Sequence, residues 1–214
     1  MPASGPTTLG RVILAVDTSL GSAVAIVDGD GATVASAASP DPLGHAEVIG
    51  DLLEQVTKGH HDITGVVAGM GPGPFTGLRI GIAAARTFAL GRGVPVIPVP
   101  SHYAAALARI EEDAAAGRFA IVTDARRREV AITVFEGLDA DGIPNVVAET
   151  VLVPRVDAEA HLAGVRAVET TELDAAALAR VGLRAAGRTL ADAEPLYLRQ
   201  PDVTLPGAPK KVGA

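Results

Sequence analysis

At 214 residues, 48% of them hydrophobic and with a mean hydropathy of +0.32, the chain has enough apolar surface for a real core and cannot be disordered throughout. Its 25 Asp and Glu against 18 Lys and Arg give a formal charge of −7, which argues against binding nucleic acid alone through a basic face. With no Cys there are no disulfides, thiolate nucleophiles or Cys-based zinc sites, and with no signal-like start or long apolar run the expectation is a cytoplasmic protein without a membrane partner.

Residues 1–10 are turn formers without periodicity and are expected to form a flexible extension. Arg11 to Thr18 reads as a buried strand. Ala23 to Val27 and Ala32 to Ala38 follow as two more, joined through Leu20-Gly21-Ser22 and Asp28-Gly29-Asp30-Gly31 into an antiparallel meander. The period then changes. Leu43 to Lys58 is amphipathic at helical spacing, Ile63 to Met70 is a strand, Gly77 to Arg92 a second helix and Val94 to Val99 a short strand, and Ser101 begins an Ala-rich helix ending near Gly117. The order βββαβαβα over residues 11–117 requires a mixed sheet with helical crossovers, which is the core unit of the actin, Hsp70 and sugar kinase (ASKHA) superfamily. That superfamily sets two such units across a nucleotide cleft, so the expected fold is α/β in two domains with a reduced second one. A smaller unit over residues 118–200 is read from strands Phe119 to Thr123, Glu129 to Glu136 and Asn145 to Leu152, a helix near Asp174 to Arg188, and a last strand Pro195 to Arg199. Residues 201–214 are expected to be a flexible tail.

The stretch Gly71-Pro72-Gly73-Pro74-Phe75-Thr76-Gly77 looks like a phosphate-cradling loop at the start of a helix, yet Pro72 and Pro74 have no N–H to offer and no Lys stands behind them. It reads as a rigid turn, with Thr76 as N-cap and Phe75 and Ile80 at the spacing of a hydrophobic staple. In the helix that follows, Gly77, Gly81, Ala85 and Ala89 form one small-residue stripe. Either the chain's own sheet or another subunit could pack there.

Asp17-Thr18-Ser19 ends a buried strand in a Gly-containing hairpin, which suits either a phosphate or Mg²⁺ contact or an Asx turn that fixes the hairpin. A second phosphate hairpin and a Gly-rich adenosine loop are missing from the second half. His45 stands alone at a helix start, because Ile49 occupies the position where a metal pair would need its second His, and His60-His61 sits in a turn. Ser101, His102 and Asp124 could be written as a hydrolase triad, but there is no nucleophile elbow, and Ser101 after Pro100 reads as an N-cap. Asp124 to Val130 joins two strands by a turn with three Arg, able to grip phosphate or carboxylates, or to act as a solvated, charged hairpin edge.

Four segments in this order, ILAVDTS (Ile13 to Ser19), HAE (His45 to Glu47), GPGPFTGLRIG (Gly71 to Gly81) and DARRREV (Asp124 to Val130), with PLYLR (Pro195 to Arg199), resemble the bacterial tRNA threonylcarbamoyladenosine biosynthesis family TsaB, also called YeaZ. Pro74 and Ala131 depart from that family's usual Ser and Tyr. The resemblance implies a non-catalytic relative of TsaD, which holds a metal through an H-x-x-x-H helix and transfers threonylcarbamoyl to the adenosine next to the anticodon of tRNAs reading ANN codons. It further implies a TsaD-like catalytic subunit and a TsaE-like ATPase as partners, tRNA reached only through the complex, and a homodimer when the chain is alone. No intrinsic cofactor, metal site or catalytic residue is expected, with ATP or ADP left to the junction with TsaD and TsaE. The partner or dimer interface is then expected at Leu43, Ala46, Ile49, Gly50 and Leu53 of the first helix and Gly77, Leu78, Gly81, Ile82, Ala85 and Ala89 of the second. The motif hairpin and turn comprise Asp17, Thr18, Ser19, Asp124, Arg126, Arg127, Arg128 and Glu129. The competing readings are an ATP-dependent enzyme of the same fold and a glycoprotease-like peptidase.

Overall fold

Residues 11–41, 44–185 and 187–198 are described by the computed structural model. The expectations for 1–10 and 201–214, and those resting on Leu43 and Arg199, lie outside the described residues. The first unit runs β1 (Ile13–Asp17), β2 (Ser22–Val27), β3 (Thr33–Ser39), α1 (His45–Thr57), β4 (Gly65–Gly69), α2 (Phe75–Arg92), β5 (Val96–Val99) and α3 (His102–Glu112). The second continues with β6 (Arg118–Asp124), β7 (Glu129–Leu138), β8 (Pro144–Pro154), α4 (Ala158–Leu162), β9 (Arg166–Glu169) and α5 (Ala175–Arg184).

The first sheet has the order β3-β2-β1-β4-β5, antiparallel across the meander and parallel from β1 through β4 to β5. The second has the order β8-β7-β6-β9, again a meander whose first strand takes a parallel neighbour. It is therefore the first sheet's pattern short of its fifth strand.

Every residue of β1 and β2 is buried. A strand that is apolar at successive positions needs cover on both faces. On one face Leu14, Val16, Val24 and Ile26 meet Ile49, Leu52 and Val56 of α1 and Leu78, Ile82, Ala85 and Ala89 of α2. On the other, Ile13, Ala15, Ala25 and Val27 meet the alanines and Leu178 of α5 together with Leu107 of α3. The helix expected to finish the second unit thus covers the first sheet. Its small residues are what allow the approach: a Cβ at Gly182 would lie 2.1 Å from Val67 Cγ2.

Three local expectations are corrected. The second helix begins two residues early, at Phe75, with Pro74 as N-cap and Thr76 already inside the first turn, because the fixed φ of Pro74 leads straight into it. Phe75 consequently forms no staple to Ile80; its ring packs on Tyr197 with centroids 4.8 Å apart. The segment around Pro195 is not a strand: Leu196 N–H reaches the Met70 carbonyl at 2.8 Å, while Pro195 has no N–H to pair.

Candidate functional site

The two glycine-containing motifs of the first unit form one structure. Asp17, at the end of β1 and 2% exposed, accepts hydrogen bonds at Oδ1 from Ser19 N–H (2.7 Å) and Ser19 Oγ (2.6 Å), which makes an Asx turn. Its Oδ2 accepts from Ser101 Oγ at 2.5 Å, and Ser101 Oγ in turn accepts from Gly71 N–H at 3.0 Å. Ser101 is the N-cap of α3 by position, but its hydroxyl is spent on Asp17 rather than on the helix. Both carboxylate oxygens are thus held by the chain itself, and the Asx-turn reading prevails over an open phosphate or Mg²⁺ contact.

Glycines at a spacing of four press onto the same triplet. A Cβ at Gly69 would fall 1.8 Å from Asp17 Oδ2, one at Gly73 2.8 Å from Ser19 Cα, one at Gly77 2.9 Å from the Thr18 carbonyl oxygen, and one at Gly81 2.1 Å from Thr18 Oγ1. Thr18 Oγ1 donates to the Gly77 carbonyl at 2.7 Å, below the usual helical bonds. This corrects the interface expectation for α2: Gly77, Leu78, Gly81, Ile82, Ala85 and Ala89 are all buried in the chain's own core. On α1, Ile49 is likewise a core residue, whereas Ala46 and Gly50 are exposed, Leu53 is half-buried, and a Cβ at Gly50 would meet nothing within 4 Å. The incompletely covered apolar side chains of α2 are the half-buried Phe75, Ile80, Ala84 and Phe88 and the exposed Ala83 and Leu90.

His45 is neither solvated nor capping. It is 3% exposed, its Nδ1 shares a 2.8 Å hydrogen bond with Ser22 Oγ, and its Nε2 lies where a Cβ at Gly77 would come within 2.8 Å. Among the described residues no group of three or more His, Asp or Glu is arranged to hold a metal.

The Ser101-His102-Asp124 triad is not assembled. His102 is 1% exposed and hydrogen-bonds Thr133 Oγ1 through Nδ1 (2.7 Å) and Thr123 Oγ1 through Nε2 (3.0 Å), and Thr133 passes the chain on to Thr150 at 2.7 Å. Burial holds this imidazole neutral, its pKa pushed down to about 3. Asp124 is exposed and pairs with Arg155 at 2.9 Å.

The His102 network forms part of the wall of a cleft of about 500 Å³ between the two sheets, also lined by Tyr103, Glu149, Asp192, Glu194 and Tyr197. Burial and the Glu149 carboxylate together raise the Tyr103 phenol above its ordinary value. The charged groups lining this cleft are carboxylates, which repel a polyphosphate.

The arginine turn has a backbone that the sequence did not foretell. Arg126, Arg127 and Arg128 all have positive φ, 62°, 53° and 64°, a region that costs a residue with a Cβ about 1–2 kcal/mol each. Hydrogen bonds hold it: Ala125 N–H to the Glu129 carbonyl (3.0 Å), Glu129 N–H to the Arg126 carbonyl (3.0 Å) and Arg155 N–H to the Arg128 carbonyl (2.7 Å). All three Arg are exposed, while Glu129 is half-buried. Sequence reasoning also missed the pairing of Thr18 with the glycines; the signal available was that Gly69, Gly73, Gly77 and Gly81 keep one spacing through a strand, a loop and a helix, which no single element explains.

A family model described as "TsaD: tRNA N6-adenosine threonylcarbamoyltransferase" matches residues 44–185. An uncharacterized protein of Mycobacterium tuberculosis is 38% identical over 150 residues, which cover 66% of this chain and 66% of that protein, so the match leaves about a third of the relative's length unaccounted for. The tRNA threonylcarbamoyladenosine biosynthesis protein TsaB of Haemophilus influenzae is 36% identical over 83 residues, 39% of this chain and 35% of that one. Among solved structures, YeaZ from Pseudomonas aeruginosa superposes with a TM-score of 0.68 at 22% identity over 88% of this chain and 100% of that chain. A second structure, titled as an uncharacterized protein with similarity to peptidase YeaZ from Pseudomonas aeruginosa, gives 0.71 at 24% over the same shares. At those identities the likeness is one of fold, and it agrees with the two-unit ASKHA architecture. Since the family model spans more than half of the chain, and the motif-bearing hairpin, loop and turn all stand in the expected order on that fold, the chain belongs to the TsaD family as a YeaZ/TsaB-like member.

Proposed function

We propose that this chain acts in formation of N6-threonylcarbamoyladenosine next to the tRNA anticodon as a non-catalytic subunit, docking a TsaD-like catalytic partner through the outer faces of α1 and α2. The observation that carries this reading is the closure of Asp17. In a fold whose working members use that strand end for phosphate, both carboxylate oxygens are occupied by Ser19 and Ser101, and the glycine loop is packed closely on the hairpin. The carboxylate-lined cleft adds to it. A nucleotide, if the assembly uses one, then belongs at the junction with the TsaD-like and TsaE-like subunits, and tRNA is reached through the complex. The reading also carries a cytoplasmic location, and no described helix is long and apolar enough to cross a membrane.

The docking face is revised from the sequence expectation. Ala46, Gly50 and Leu53 of α1 remain in it, and Ile80, Ala84 and Phe88 of α2 replace the buried stripe. The same face would pair two copies of the chain when the partner is absent, since a twofold contact needs only a self-complementary patch. The test is light scattering on the purified chain, alone and mixed with a TsaD-like subunit, with Gly50→Arg as the variant. A mixed complex that this substitution abolishes, with unfolding unchanged because nothing lies within 4 Å of the new Cβ, is the expected result. ATP turnover at constant specific activity through successive columns of the chain alone would overturn the non-catalytic role.

A further inference from the structure

Arginines take up many of the carboxylates around the second sheet: Arg118 pairs with Glu136, Arg155 with Asp124 and Glu169, and Arg188 with Asp139 and Asp141. The three carboxylates that line the cleft between the sheets, Glu149, Asp192 and Glu194, are left out. Among the described residues no Lys or Arg forms an ion pair with any of them. Arg79, which donates to Tyr197 Oη at 2.8 Å, lies over the Phe75 ring, and the buried His102 stays neutral. Water solvates unpaired carboxylates on a convex surface, but these three share a concavity of about 500 Å³, within the usual span of small-ligand pockets, about 300–1,000 Å³.

The walls of that cleft differ in origin. Glu149 stands on β8 of the second sheet, whereas Asp192 and Glu194 belong to residues 187–198, which are tied to the first unit by Leu196 N–H on the Met70 carbonyl (2.8 Å) and by the Arg86 guanidinium on the Ala193 carbonyl. Negative charge therefore comes from both sides. Val146, Leu190 and Leu196 add an apolar lining and Tyr103 an aromatic one. Burial and, after it, the Glu149 carboxylate hold the Tyr103 phenol above its ordinary range, so the negative potential of the cleft reaches that ring. A metal ion does not suit these walls, since among the described residues no three His, Asp or Glu are arranged to hold one. An aliphatic amine does: its methylene stem covers apolar surface, its ammonium heads reach carboxylates, and a tyrosine face attracts a cation.

We infer that the cleft between the two sheets binds a free aliphatic polyamine, with ammonium groups on Glu149 and on Asp192 or Glu194 and the stem along Val146, Leu190 and Leu196. This site goes beyond the subunit role and does not depend on it.

The experiment is isothermal titration calorimetry of the full chain with spermidine at physiological ionic strength, where exposed charges more than about 8 Å apart are largely screened. MgCl2 and a short Lys-rich peptide are parallel titrants. One saturable spermidine site is expected, with Kd raised about tenfold or more in E149Q/D192N/E194Q and about two- to fivefold in E149Q alone. The control D62N/E159Q/E172Q removes the same charge from exposed positions outside the cleft and should leave Kd unchanged. Thermal unfolding by circular dichroism checks that each variant is folded, and E149Q alone carries the test if the triple variant is not. Absence of a saturable site, or a site that the cleft substitutions leave intact, overturns the proposal. Equal weakening in both triple variants, or displacement of spermidine by MgCl2 at the same concentration, also overturns it, because binding would then answer only to the net charge of −7. Saturable binding of the peptide without binding of spermidine overturns it as well, and gives the cleft to a basic segment of a protein.

Discussion

Replacing Gly81 by Ala tests whether the small-residue stripe of α2 belongs to the chain's own core. A Cβ there would stand 2.1 Å from Thr18 Oγ1, 2.9 Å from its Cγ2 and 3.0 Å from its Cβ, so Thr18 must leave its rotamer or α2 must move outward. Overpacking of this kind costs about 1–3 kcal/mol. If Thr18 turns away, its hydroxyl and the Gly77 carbonyl lose their 2.7 Å bond in a buried setting, adding about 1–3 kcal/mol. Better helix propensity returns about 1 kcal/mol. The net expectation is a loss of about 3 kcal/mol, which for a chain of this size lowers Tm by about 6–12 °C. Gly91→Ala on the same helix, where nothing lies within 4 Å, should instead gain up to about 1 kcal/mol. Urea and thermal denaturation followed by circular dichroism measure both. Thr18→Ala removes the obstructing atoms, so in that background Gly81→Ala should cost less, with a coupling of about 1–3 kcal/mol in the double-mutant cycle. Gly81→Ala as stable as the wild type, or a cycle without coupling, would refute the packing argument. By the same reasoning Gly81→Leu, which an interface stripe would tolerate as a folded monomer, is expected to prevent folding.

His102 supplies a pH dependence whose sign is fixed by its depressed pKa of about 3. The unfolded chain takes up the proton near pH 6.5 while the folded chain refuses it, so stability falls as pH drops from about 6.5 and levels off below about 3, at about 1.4 kcal/mol per pH unit. His102→Gln should flatten that part of the pH–stability curve, and parallel curves for the two proteins would show the imidazole protonates freely. Asp17→Ala strands Ser19 N–H, Ser19 Oγ and Ser101 Oγ in a buried setting, and a loss of at least about 3 kcal/mol in urea midpoint is expected; a loss below about 1 kcal/mol would mean that water already satisfies these groups. Arg128→Gly relieves a positive φ worth about 1–2 kcal/mol against about 0.5–1 kcal/mol of added unfolded-state freedom, so Tm should rise by a few degrees, and a fall would mean that the side chain stabilises the turn.

The first unit was legible because its information is periodic. Alternation, turn glycines and helical spacing gave the meander and the α/β alternation to within a few residues, and a strand apolar at every position announced cover on both sides. The second sheet was legible only as strands. Nothing periodic in α5 says which sheet its alanines will meet, since a helix apolar on several faces satisfies either, and the choice is made by the close approach of Gly182 to Val67. Isolated polar residues were the least legible. His45 read only as a lone His at a helix start and His102 only as a member of a triad that could be written, because a lone His carries no signal of burial, and their partners Ser22, Thr123 and Thr133 are small hydroxyl residues that could equally have capped or faced solvent.

The glycine pattern of Gly71 to Gly81 shows why a motif can be recognised correctly while its residues are given the wrong task. Small residues at a spacing of four mark a place where something comes close, and they do not say what. Here it is the triplet Asp17-Thr18-Ser19, which approaches Gly69, Gly73, Gly77 and Gly81 in turn across strand, loop and helix. A partner helix could not follow that line, because it would have to keep contact through a change of secondary structure, whereas a hairpin tip seated in the crook between β4 and α2 does so with three residues. The stripe therefore fixes the angle at which α2 lies on the sheet. Ile80, Ala84 and Phe88 stand one position before Gly81, Ala85 and Ala89 and remain only half-buried. The buried glycines reach a docking face only through the helix they position, which is why Gly81→Ala should disturb folding and Gly50→Arg should disturb assembly.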